Sequence, residues 1–115
     1  MIAPPARSFL NSSFNNLPTG RARERRPLVR IHPDDLHALA LADGAPVRIG
    51  NRNGSVVLQA QSFAGVQRGV LVVEGIWPSA AFAEGTGINT LTSADPGFPN
   101  GGACYHDTAV WLRPA

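Results

Sequence analysis

A single cysteine, Cys104, occurs in this chain of 115 residues. No internal disulfide can form, and no multi-cysteine zinc or iron–sulfur site can be built from this chain alone. Lysine is absent altogether: all ten cationic side chains are arginines, and the formal charge is only +2. No uninterrupted apolar run is long enough to span a bilayer. The opening MIAPPARSFLN breaks on prolines and polar residues where a signal peptide would carry its apolar stretch. These absences predict a cytoplasmic chain with no membrane contact, or an internal piece of a longer chain whose address lies elsewhere.

Several catalytic signatures are missing as well. No serine sits in a G-x-S-x-G turn. The Gly85-Thr86-Gly87 stretch lacks the further glycine and helix of a dinucleotide-binding loop, and no Walker sequence is present. Cys104, His106 and Asp107 fall close together in CYHD, but two ligands and a carboxylate do not make a metal site. Gly54-Ser55 has the residue pair at which self-processing barrel enzymes cleave to form a pyruvoyl group. Its place in a hairpin turn explains the glycine without that chemistry.

What remains is a chain sized for one domain with a modest core. Ten prolines and twelve glycines point to many turns. Residues 1–27, broken by Pro4, Pro5, Pro18 and Pro27, read as loop. Residues 28–31 read as a strand. HPDDLHALALADG reads as the clearest helix, with Pro33 at its first position and Asp34 and Asp35 in its first turn. Leu36, Leu39 and Ala40 share its inner face, His32 organises its start, His37 faces outward, and Gly44 supplies the stop.

Val47 and Ile49 then alternate with Arg48, and Asn53-Gly54 signals a hairpin with a type I′ turn. Val56 and Leu58 continue the return strand. Residues 70–73 read as an apolar strand buried on both sides. Residues 78–103 read as a second long loop, and Val110, Trp111 and Leu112 close the chain as a strand. Short strands with long loops predict a mainly β fold, a small closed barrel with one or two short helices.

Two features stand out chemically. Half of the arginines, Arg21, Arg23, Arg25, Arg26 and Arg30, crowd into RARERRPLVR. Guanidinium forks suit phosphates, so an alternative reading is a barrel-type module binding nucleic acid or protein through the 21–30 segment. The near-neutral remainder of the chain disfavours nucleic acid. The other feature is a pair of uncharged polar loops, NSSFNN at 11–16 and GINTLTS at 87–93. After Glu84, nothing in the EGTGINTLTSA stretch exchanges a proton near neutral pH. Such groups select a ligand by hydrogen-bond pattern, because an unmatched buried partner costs about 1–3 kcal/mol.

Taken in order, LNSSFNNLP, IHPDDLHALALADGAPVRIGNRNGSVVLQA, GVQRGVLVVEGIWP, INTLTS and HDTAVWLRP resemble the C-terminal molybdopterin-dinucleotide-binding domain of the dimethyl sulfoxide reductase and formate dehydrogenase superfamily. The opening NSSFNN is most similar to the biotin sulfoxide reductase type. The resemblance covers residues 9–113, leaving residues 1–8 as an N-terminal extension. It implies a double-psi β-barrel that binds a molybdopterin dinucleotide, bis-molybdopterin guanine dinucleotide in most of the superfamily. By the same resemblance, Asn11, Ser12, Ser13 and Phe14 form a first cofactor loop and Asn89, with Thr92 beside it, a second. Tyr105 and His106 approach the pterin. Molybdenum or tungsten would be held by the cofactor and by other domains, and Cys104 would be no ligand. The implied partner is the remainder of an oxidoreductase, either further domains or a large catalytic subunit. This chain would perform no redox chemistry alone.

Overall fold

The computed structural model describes residues 1–10 and 13–115. Four strands, β1 (Leu28–Ile31), β2 (Pro46–Asn51), β3 (Gly54–Ser62) and β4 (Trp111–Pro114), form one sheet in the order β1-β3-β2-β4. β1 runs parallel to β3, while β2 pairs antiparallel with β3 and with β4. Two short helices accompany them, α1 (Pro18–Glu24) and α2 (Pro33–Ala38). The fold is therefore mainly β, as expected, and the sheet is open between β1 and β4.

Period-two burial builds the core. Val29 and Ile31, Val47 and Ile49, and Val56, Leu58 and Ala60 all turn to one face and are buried. Leu36 of α2 caps that face, and Leu71, Val73, Trp77 and Phe82 complete the cluster. Beyond β1, Leu71, Val72 and Val73 of the apolar 70–73 stretch are buried, yet the stretch is not the strand expected. Only Val72 bridges, to Arg30 on one side and to Ile2 on the other. The first residues lie along it: Ile2 N donates to Leu71 O, Val73 N to Ile2 O and Gly75 N to Pro4 O. Residues 1–8, read as an extension, are thus hydrogen-bonded to the sheet layer.

Three local expectations are corrected. Residues 18–24 form α1 rather than loop: Pro18 opens it, and Arg, Ala and Glu are good helix formers. Only Gly20 in it is buried, so no apolar stripe marks the helix in the sequence. α2 ends at Ala38, well before Gly44, through Ala40 at φ 53°, which leaves Leu36 as its single buried residue. His32 caps it as expected, its Nδ1 accepting from Asp34 N at 3.2 Å. Finally, Asn51 pairs with Gly54, so the hairpin loop is Arg52-Asn53 and Gly54 already belongs to β3. Neither Arg52 nor Asn53 has positive φ, which rules out a type I′ turn. Instead Asn51 Oδ1 accepts from Asn53 N at 2.8 Å, an Asx-turn.

Candidate functional site

The 79–93 loop is fastened to the β2–β3 hairpin at four points. Arg48 reaches from β2 to Glu84 with both forks, at 2.8 and 2.5 Å, and touches Ser55 Oγ at 3.2 Å. That hydrogen-bonded guanidinium holds the Glu84 carboxyl below the ordinary range, so the one acidic group of the EGTGINTLTSA stretch is a tether. Asn51 Nδ2 donates to Leu91 O at 2.7 Å, and Asn53 Nδ2 to Thr92 O at 3.2 Å. Gly54 lies against Thr90 so closely that an added Cβ would meet Thr90 Cγ2 at 2.6 Å.

Between these tethers the chain forms a 3₁₀ turn, Ile88–Leu91. Residues three apart eclipse on such a turn, and here Ile88 and Leu91 both enter the core, 2% and 0% exposed. Asn89 is consequently driven outward. Its amide makes no hydrogen bond among the described residues. Thr92 donates its hydroxyl to Asn89 O at 2.7 Å and so keeps acceptor capacity only.

Asn89, Thr92 and Tyr105 line one cleft of about 480 Å³, together with Ser93 and Asp95. The structure thus brings together three of the residues singled out in the sequence. His106 faces a neighbouring cleft of about 470 Å³ with Cys104, Asp107 and the hairpin residues Asn51, Arg52 and Asn53. Ser93 lines both clefts. Among the described residues, no three histidine, cysteine or acidic side chains are placed to hold a metal ion together.

Of the first loop, Asn11 and Ser12 lie outside the described residues. Ser13 is exposed and forms an antiparallel bridge with Leu10, Ser13 N donating to Leu10 O at 2.8 Å. Phe14 is 64% exposed with φ 65°, and neither residue lines the Asn89 cleft. Ahead of these residues in the chain, Phe9 meets Trp77 edge-on at 4.9 Å between ring centroids.

Sequence reasoning missed Asn51, Asn53, Asp95 and Arg52. Asp95 accepts from Ser93 Oγ at 2.6 Å and from Arg52 Nη2 at 2.8 Å. The serine hydroxyl first, and Arg52 second, hold its carboxyl below the ordinary aspartate range. The available signal was the hairpin itself, since NRNG supplies two amides from one tight turn.

Comparison with known proteins follows the same lines. A family model described as "Molydopterin dinucleotide binding domain" matches residues 1–109. The chain belongs to this molybdopterin dinucleotide-binding domain family. Among curated relatives it is 34% identical over 112 residues to "Probable oxidoreductase YoaE" of Bacillus subtilis (strain 168), covering 97% of this chain and 16% of that protein. It is 30% identical over 106 residues to a putative dimethyl sulfoxide reductase catalytic chain of Halobacterium salinarum, covering 92% of this chain and 12% of the relative. Over 64 residues it is 41% identical to "Biotin sulfoxide reductase" of Cereibacter sphaeroides, covering 55% of this chain and 9% of the relative. The chain therefore spans less than a fifth of each relative. Acetylene hydratase from Pelobacter acetylenicus shares the fold, with a TM-score of 0.79 at 16% identity, over 99% of this chain and 18% of that one.

Proposed function

We propose that the Asn89 cleft receives the heterocyclic part of the molybdopterin dinucleotide, and that this chain orients the cofactor within a larger oxidoreductase. The observation that carries the reading is the Asn89 amide: it is held out by two buried anchors, has no partner among the described residues, and opens on a cleft shared with Thr92 and Tyr105. The fit is chemical as well as spatial. A cleft of about 480 Å³ suits a small ligand. An amide, a hydroxyl acceptor and a phenol match a ring edge that both donates and accepts.

In this reading Asn89 and Thr92 hold the ring edge, Tyr105 walls the cleft, and His106 approaches from the adjoining one. Asn11, Ser12, Ser13 and Phe14 are assigned to the same cofactor by the family resemblance; Ser13 and Phe14 are exposed. The cofactor, bis-molybdopterin guanine dinucleotide with molybdenum or tungsten, supplies the redox chemistry when bound, and this chain supplies binding and orientation. The partner is the remainder of the oxidoreductase, either further domains or a large catalytic chain. Residues 9–113 form the domain proper, a double-psi β-barrel, along which residues 1–8 run as a strap. The parallel β1–β3 pair, the Val72 bridges and the shared fold at a TM-score of 0.79 support that topology.

The test is Asn89→Ala in the complete oxidoreductase. The pterin and metal content of the purified enzyme should fall, while its thermal unfolding stays where it was, because Asn89 is exposed and its amide makes no hydrogen bond among the described residues. Wild-type cofactor content in the variant would refute the assignment.

A further inference from the structure

A third cleft, of about 330 Å³, is lined by Arg23, Glu24, Arg25, Arg26, Arg30 and Glu74, together with the buried Trp77. It shares no lining residue with the Asn89 cleft. We propose that it binds a phosphate group, as a free inorganic or condensed phosphate or as the phosphate of an ester, through Arg23 and Arg25.

Charge is the first argument. Four guanidiniums face two carboxylates there, an excess equal to the +2 of the entire chain. Both carboxylates are already engaged: Glu74 is ion-paired with Arg30, and Glu24 Oε1 accepts from Ser8 N at 2.8 Å. The positive excess is thus concentrated in one cleft and left without an internal anion.

The four arginines also divide by task. Arg30 is immobilised by Gln61 at 3.1 Å, by Glu74, and by Phe63, whose ring centroid lies 5.0 Å from its guanidinium carbon. Arg26 gives Nη1 to Gln59 Oε1 at 2.7 Å. The guanidiniums of Arg23 and Arg25 have no hydrogen bond or ion pair among the described residues. Two fixed cations thus frame two available ones, and a guanidinium fork matches phosphate oxygens in two places.

Backbone strain is the independent observation. Arg25 sits at φ 65°, ψ −68°, and Arg26 N donates to Glu24 O at 2.8 Å. This is a γ-turn of the positive-φ hand, rare and strained for a residue with a side chain. Strained conformations of this kind cluster at ligand clamps. Here the turn ends α1 abruptly and brings Arg25 and Arg26 to the cleft that Arg23 reaches from the helix. A merely solvated arginine segment needs no such turn.

The experiment is calorimetric titration of the 115-residue chain at low salt with inorganic pyrophosphate and, separately, with guanosine diphosphate, each against chloride of matched ionic strength. Saturable binding is expected. It should weaken at least about tenfold in R23Q/R25Q, a variant whose exposed substitutions leave the circular dichroism melt unchanged. R68Q should bind like wild type, since Arg68 lies beside Asp35 outside the cleft. Equal affinities for the two ligands would show that the phosphate alone is read, and tighter guanosine diphosphate would show that an attached nucleoside contributes. No saturable heat above chloride, or undiminished affinity in R23Q/R25Q, would overturn the proposal. N89A must leave pyrophosphate binding intact, which separates this result from the fate of the heterocycle assignment.

Discussion

Gly54 and Thr90 are in contact across the hairpin, with only hydrogen-sized room between them: a Cβ on the glycine would stand 2.6 Å from the threonine methyl. The position therefore demands glycine for its own backbone, at φ 156°, and for a neighbour's sake, and not for a type I′ turn. Gly54→Val should lower stability by about 1–3 kcal/mol through overpacking, read as a lower melting temperature. Gly54→Ala should be partly rescued by Thr90→Ser, which removes the opposing methyl. An unchanged melt for Gly54→Val would contradict the contact.

Asn51 links the hairpin to the loop that carries Asn89. Asn51→Ala strands the carbonyl of the fully buried Leu91, and should cost about 1–3 kcal/mol. Asn51→Asp keeps an acceptor for Asn53 N but loses the donor to Leu91. Its stability, measured by urea unfolding, should fall nearly as far as that of the alanine variant if the loop tether dominates.

Trp111 lies across Gly50. A Cβ at Gly50 would meet the indole at 2.4 Å and the backbone oxygen of Gly54 at 2.8 Å. The indole can swing away, but the backbone oxygen cannot. Gly50→Ala should thus destabilise by about 1–3 kcal/mol, with a shift in tryptophan fluorescence as the ring leaves its seat over the β2–β4 pair.

The Asp95 contacts give a pH dependence of defined sign. Its carboxyl is depressed in the folded chain, so the folded state binds fewer protons than the unfolded one. The contribution is complete above the ordinary aspartate range and is lost as pH falls through the lowered folded value. Asp95→Asn should therefore melt slightly below wild type at neutral pH, and the difference should vanish in acid. A gap that instead widens on acidification would reverse the assignment.

How much of this was legible in the sequence depended on periodicity. Val47, Ile49, Val56 and Leu58 announce their strands because one face of each is buried, and Pro33 with Asp34 and Asp35 announces α2. Helix α1 was not legible: Arg21, Arg23 and Glu24 are turned to solvent or to polar partners, and an apolar stripe never forms. Residues 70–73 look like a strand from their apolarity, but burial against Ile2 and Arg30 needs no regular ladder. Asn89 was singled out through the family resemblance, and the structure places it, exposed, on one cleft with Thr92 and Tyr105. The role of Asn51 and Asn53 was not, since a tether between positions 51 and 91 is a fact of packing and not of local pattern.

Residues 103–106 separate the two neighbouring clefts by turns: Ala103 and Tyr105 line one side, Cys104 and His106 the other. The wall is thus a two-faced ribbon, and its phase decides which chemistry meets the guest. Losing one residue from the bend between positions 96 and 102 would exchange the faces, delivering a thiol and an imidazole to the chamber where a phenol had stood. The parity of a short surface bend, rather than any side chain within it, keeps that thiol and that imidazole out of the chamber on which Asn89 opens.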